Sequence, residues 1–206
     1  MITSEPRSQA SPLSVVRRKF TKKHICHIAN ELMVEHGFAG VTMEQIATAA
    51  GITRSTLYNY FRDKSAILEA IAEDYIDALL PVIERLPSPT ANAEQVRIWI
   101  GEYAQFVSDN PAPAELVMAV SLKLDPPPVM QTFGHKVMAA LARRSPAFAS
   151  ALCPGEDFRL AWARATLAVL GSALTFAAKH GHSAEAQSKL DVAAMLFTRF
   201  LHDERQ

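Results

Sequence analysis

Arg54, Ser55, Tyr58 and Asn59 are the side chains of this chain whose types and spacing point most directly to a chemistry. Residues three and four apart share a helix face, so one short helix would present a guanidinium, a hydroxyl, a phenol and an amide together. Arg can bond bidentately to guanine and Asn to adenine, which makes such a face a reader of base edges. The surrounding segment, residues 41–61, reads as two short helices around a Gly turn. That is the helix-turn-helix arrangement, which sets its second helix in the major groove of DNA. Thr42 and Gln45 have capping-box spacing, and Val41 and Ile46 flank them as a hydrophobic staple. The first helix therefore starts at Met43, with Ile46, Ala47 and Ala50 on one face. Gly51 ends it, because Gly tolerates the left-handed backbone of a tight turn. Thr53 caps the second helix, which runs from Arg54 to about Tyr60, with Leu57 and Phe61 facing inward.

An ordinary helical hairpin with a solvated face would show part of this pattern. Three features separate the two readings. A basic arm, Arg17-Arg-Lys-Phe-Thr-Lys-Lys23, lies just upstream. Polar and aromatic residues sit together on the outer side of the second helix. Lys64 falls in the first turn of the next helix, where a cation opposes the helix dipole. A bound phosphate would remove that conflict.

The segment resembles the TetR family of bacterial transcriptional regulators over residues 25–70. The residues that carry the resemblance are Ile25, Ala29, Leu32, Gly37, Phe38, Thr42, Ile46, Ala47, Ala50-Gly51-Ile52, Thr53, Thr56-Leu57-Tyr58, Tyr60-Phe61, Lys64 and Leu68. Tyr60 is a departure, since His is more usual there; a Tyr hydroxyl still reaches a phosphate. The resemblance implies a DNA-facing set of Thr42, Thr53, Arg54, Ser55, Thr56, Tyr58, Asn59, Tyr60 and Lys64. Within it Thr42, Tyr58, Tyr60 and Lys64 grip phosphates, and Arg54, Ser55 and Asn59 read bases. Beyond residue 70 the resemblance implies only architecture, a helical ligand-binding and dimerisation domain.

Charge agrees with this division. The chain has 206 residues and no net charge, with 21 Lys and Arg against 21 Asp and Glu. Residues 1–64 hold nine basic residues against five acidic, and the other 142 hold twelve against sixteen. Basic charge on the DNA-facing part is what phosphate binding requires. Two cysteines, Cys26 and Cys153, indicate a reducing compartment without a disulfide framework. No signal segment and no bilayer-spanning apolar run is read from the pattern, so the expected location is the cytoplasm.

The expected fold is all-α with about nine helices. Residues 1–13 read as a disordered tail, 14–64 as the helix-turn-helix head and 65–206 as the effector-binding and dimerisation domain. The first helix carries a buried stripe of Ile25, Ile28, Ala29, Leu32 and Met33 and ends at Gly37. Asp63 caps the fourth, which Pro81 should kink. The remaining helices fall at 92–109, 112–124, 128–144, 156–180 and 184–203.

Tyr, Phe, Trp and Met are dense in residues 75–141, and such side chains line apolar small-molecule sites. The expected pocket set is Tyr75, Leu79, Trp99, Tyr103, Phe106, Met118, Leu122, Met130, Phe133, Val137, Met138 and Trp162, with Tyr103, Lys123 or His135 as polar handles. The expected occupant is a hydrophobic effector, aromatic molecules included. The last two helices are apolar with small residues, which suits a four-helix bundle with a second copy. The expected dimer face is Phe158, Ala161, Ala165, Val169, Ser172, Phe176, Leu196, Phe197 and Phe200; the resemblance implies the homodimer. His24 with His27, and His180 with His182, have metal-like spacing but no acidic or Cys partners nearby, so no metal is expected. No phosphate loop, nucleophile elbow or His-Glu-x-x-His motif occurs, and neither enzyme nor cofactor chemistry is expected. The functional reading is a ligand-responsive repressor on a palindromic operator. The alternative is an effector-independent DNA-binding protein whose C-terminal domain binds a protein partner.

Overall fold

The computed structural model describes residues 12–123, 125–181 and 183–202, and divides into two compact units that meet in sequence between Ile67 and Leu68. Ten helices and no strand occur among the described residues: α1 (Pro12–Gly40), α2 (Met43–Ala49), α3 (Arg54–Tyr58), α4 (Lys64–Glu84), α5 (Ala93–Asp109), α6 (Pro111–Ser121), α7 (Pro128–Arg144), α8 (Pro146–Ser150), α9 (Asp157–His180) and α10 (Ala184–Leu201). The tenth, relative to the nine expected, is α8. It falls between the expected helices at 128–144 and 156–180 and opens on Pro146, which at the first helical position lacks only an N–H that would be unbonded anyway. Residues 1–11 of the expected tail lie outside the described residues, and α1 already includes Pro12 and Leu13.

In the first unit α1 breaks at Gly37, whose φ of 73° is open to Gly without strain. Ile25, Ala29 and Met33 of its stripe are buried, while Ile28 and Leu32 are half-buried. Ile46, Ala47, Leu57 and Phe61 complete this small core. Thr42 and Gln45 close the capping box in both directions, at 2.8 and 3.2 Å. Such caps contribute about 0.5–2 kcal/mol each. Asp63 accepts from the Ala66 N–H at 2.8 Å and so caps α4.

The second unit is built around an aromatic cluster. Phe148 and Phe197 are fully buried with ring centroids 5.7 Å apart, Phe148 and Phe200 are 4.7 Å apart, and Trp99 lies 5.1 Å from Phe197. Burying each such side chain stabilises by roughly 1.5–3 kcal/mol. Helix α4 runs on through Pro81 to Glu84. Helix α5 opens with a second capping box, Asn92 with Gln95, both bonds at 3.0 Å. Helices α6 and α9 run antiparallel: Glu115 meets Lys179 at 3.5 Å, and Met118 lies over Gly171.

Against the expectation of no bilayer-spanning apolar run, α9 is long and apolar enough to cross a membrane by length and composition. The reason is that α9 is apolar on two sides. Ala163, Thr166, Leu170, Ala173 and Leu174 face the core, while Phe158, Ala161, Ala165 and Val169 are exposed.

Candidate functional site

The candidate nucleic-acid-binding surface is built on α2 and α3. Gly51, at φ 67°, turns the chain between them, and the Ile52 N–H returns to the Ala47 carbonyl at 3.0 Å. The Thr53 hydroxyl accepts from the Thr56 N–H at 3.1 Å and caps α3. Leu57 is buried, which fixes the rotation of this single turn of helix. Arg54, Ser55 and Tyr58 are exposed on it, and Thr56 is half-buried. The helix ends at Tyr58 rather than about Tyr60. Asn59 is its C-cap, so Asn59 and Tyr60 stand just past the helix end.

Electrostatics organise the same surface. The Arg54 guanidinium lies 5.7 Å from the Tyr58 ring centre. A hydrogen bond and charge interaction with Tyr58, and then Glu44, hold its pKa above the ordinary Arg value. Arg18 from the basic arm donates to the Asn59 carbonyl at 3.3 Å and sits 5.2 Å from the Tyr60 ring centre. Lys22 lies 5.5 Å from the Phe61 ring centre. The arm is therefore helical and packed against the end of α3. Its positions were visible in the sequence, but these contacts were not.

Lys64 has partners inside the protein. Its ammonium donates to the Val41 carbonyl at 2.7 Å and the Ala39 carbonyl at 3.3 Å, and lies 4.7 Å from the Phe38 ring centre. The conflict with the dipole of α4 is answered inside the protein by two carbonyls. A phosphate is not needed to explain this lysine.

The second unit holds a cavity of about 770 Å³. Of the expected lining, Tyr75, Leu79, Tyr103, Met118, Leu122, Met130, Phe133, Val137 and Met138 face it. Trp99, Phe106 and Trp162 do not. The Trp99 indole N–H donates to the Val82 carbonyl at 2.9 Å, in the core. Phe106 backs the wall, 5.5 Å from Tyr75 between ring centres. Trp162 stands edge-on to Phe200 at 5.5 Å. Of the polar handles, Tyr103 and His135 line the cavity and Lys123 does not. The wall that sequence reading missed is α9, from Arg164 to Thr175, where Ala168 and Gly171 gave no aromatic or Met signal. Burial pushes the Tyr75 and Tyr103 phenols well above the ordinary Tyr range, and Tyr75 adds to the rise at Tyr103.

Phe197 and Phe200 were expected on a dimer face and are instead buried within one subunit's aromatic cluster. Their large rings fill the space between α5, α8, α9 and α10, and the outward side of α10 is left to Val192 and Met195. Leu196 and Phe176 are half-buried; Phe176 stacks on His180 at 4.1 Å and lies under Lys189. Phe158, Ala161, Ala165, Val169 and Ser172 remain exposed. No disulfide joins the buried Cys26 to the exposed Cys153. No cluster of three metal-ligating side chains occurs among the described residues, and His182 lies outside them.

Fold and surface together define a helix-turn-helix protein with an all-helical second unit. Residues 25–71 match the family model for bacterial regulatory proteins of the tetR family. A Mycobacterium tuberculosis protein named for transcriptional regulation of mycofactocin biosynthesis is 49% identical over 51 residues, which cover 25% of this chain and 26% of that one. A helix-turn-helix-type transcriptional regulator of Staphylococcus aureus is 28% identical over 107 residues, covering 52% of this chain and 58% of its own length. The chain thus spans about a quarter and somewhat over half of these curated relatives. Among solved structures, a TetR-family regulator from Shewanella sp. PV-4 superposes with a TM-score of 0.65 at 18% identity, covering 87% of this chain and 96% of its own. FadR of Bacillus subtilis, solved with stearoyl-CoA, gives 0.61 at 15% identity, covering 85% and 97%. Residues 25–71 thus carry the tetR-family match, and the chain as a whole shares the fold of solved TetR-family regulators.

Proposed function

We propose that this chain is a ligand-responsive repressor that binds a palindromic DNA operator as a homodimer and releases it when a hydrophobic small molecule fills the cavity. The observation that carries the DNA half is the outer face of α3, with Arg54 held in place by Tyr58 on a doubly capped helix-turn-helix. Arg54, Ser55 and Asn59 are the base readers, and Thr42, Tyr58, Tyr60 and the basic arm are the phosphate contacts. Two such heads in a dimer read half-sites about 34–36 Å apart.

The cavity supports the effector half. Its volume of about 770 Å³ lies within the range of small-molecule sites, roughly 300–1,000 Å³. FadR of Bacillus subtilis shares the fold and holds an acyl thioester. Helix α4 begins at Lys64 and carries Tyr75 and Leu79 of the cavity wall, so it is the continuous element through which a bound molecule would act. The effector works only through its differential affinity for the DNA-bound and free states. The dimer half rests on the exposed stripe Phe158, Ala161, Ala165, Val169 and Ser172, joined by Val192 and Met195.

The test is selection of bound duplexes from a random pool, followed by anisotropy titrations with and without apolar compounds that raise the melting temperature. A ligand selective for the native state raises it. Enrichment of a palindrome that a stabilising compound releases supports the reading. Absence of any enriched sequence, or stabilising compounds that never alter operator affinity, overturns it.

A further inference from the structure

We infer that the cavity carries a two-tyrosine site for an uncharged ligand bearing a carbonyl-type acceptor, bound by the hydroxyls of Tyr75 and Tyr103. The inference deepens the effector reading above and rests on it.

Both phenols line the cavity. Their rings lean on the same neighbour, Phe106, with centroids 5.5 Å and 6.3 Å away, and Phe133 stacks on Tyr75 at 6.2 Å. Neither hydroxyl has a hydrogen-bond partner among the described residues. Neither is sealed in the packed core, because each opens to the cavity. Two O–H donors facing the same cavity can both bond an acceptor group of a molecule that enters it.

The environment also selects the charge of that acceptor. Burial disfavours the ionised phenols, so both remain neutral O–H donors through the physiological range. The same desolvation penalises an anionic ligand group placed beside them. Arg164, which lines the cavity from α9, makes no hydrogen bond or ion pair among the described residues and is exposed. It offers the competing arrangement, an acid held near solvent.

Calorimetric titration of the full chain with matched probes separates these outcomes. The pairs are acetophenone with ethylbenzene and 9-fluorenone with fluorene; 9-fluorenecarboxylate is the anionic control. Each ketone is expected to bind about three- to tenfold more tightly than its hydrocarbon, the net worth of a hydrogen bond. Tyr75→Phe and Tyr103→Phe should each narrow that gap, with circular dichroism showing that the variants fold; a gap unchanged in both would overturn the site. Ketones and hydrocarbons binding alike, neither ketone binding, or the carboxylate binding more tightly than fluorenone would each overturn the site. No DNA enters this assay, so its failure leaves the regulator reading standing. Ketone binding that never alters operator affinity would sink the effector reading and leave the tyrosine site.

Discussion

The Lys64 ammonium is 2.7 Å from the carbonyl oxygen of Val41, the residue that precedes the N-cap of α2. A cation from the start of one helix thereby ties down the entry to another. Lys64→Met should lower head stability by about 1.5–3 kcal/mol, the range for hydrogen bonds to charged groups. The dependence of DNA affinity on salt should then stay nearly unchanged. Thermal unfolding and anisotropy at several salt concentrations measure both. A slope reduced by about one unit with stability intact would return Lys64 to the phosphate backbone.

Arg54→Ala should cost roughly 1–3 kcal/mol of operator affinity while sparing non-specific DNA binding. Tyr58→Phe keeps the ring beside the Arg54 guanidinium and should reduce the same preference less. Anisotropy against operator and scrambled duplexes decides this. Equal losses on both duplexes would show that Arg54 reads no base.

Gly171→Ala should shrink the cavity, because the new Cβ would overlap the Met118 thioether. Ligand affinity should fall on the order of tenfold, as when one methyl group is misfitted in an apolar pocket. Adding Met118→Ala should restore it. Calorimetry on the two variants is the measurement; a loss that Met118→Ala fails to rescue would place the effect elsewhere.

Val169→Glu with Met195→Glu should yield a folded monomer that has lost most of its operator affinity. Both positions are exposed within a subunit, Met195 at 61%, so the charge costs little unless a second copy covers them. Sedimentation equilibrium reads the mass, and an undisturbed dimer would move the interface away from α9 and α10.

Stability should decline as pH rises above about 10, the ordinary Tyr pKa. Tyr75 and Tyr103 have raised values in the folded chain, so the unfolded chain releases their protons first and gains from alkali. Their contribution is complete below the unfolded value and is lost as pH climbs toward the folded one. Chemical denaturation of the Tyr75→Phe, Tyr103→Phe double variant should show a shallower alkaline decline.

The helix-turn-helix was legible because local chemistry dictates it. Thr42, Gln45, Gly51 and Thr53 act on their own neighbours within three or four residues, and burial of Leu57 follows from spacing. The carbonyl partners of Lys64 were hidden for the opposite reason: they lie 23 and 25 residues upstream, where no local rule looks. In the second unit, aromatic and Met content marked one side of the cavity and missed α9, whose Ala168 and Gly171 shape the space by being small. The same composition rule misplaced Trp99, whose indole is committed to the Val82 carbonyl. On α10 the largest apolar side chains were assigned outward. Phe197 and Phe200 turned inward because rings of that size offer the most area to bury against Trp99, Phe148 and Trp162.

Met118 resting on the bare backbone of Gly171 has a consequence for the breadth of molecules the cavity can hold. An unbranched thioether swings between rotamers at small cost, and at Gly171 no side chain opposes it. One part of the cavity wall is thus a hinged arm. A guest that needs more room there would displace this side chain before it displaced a helix.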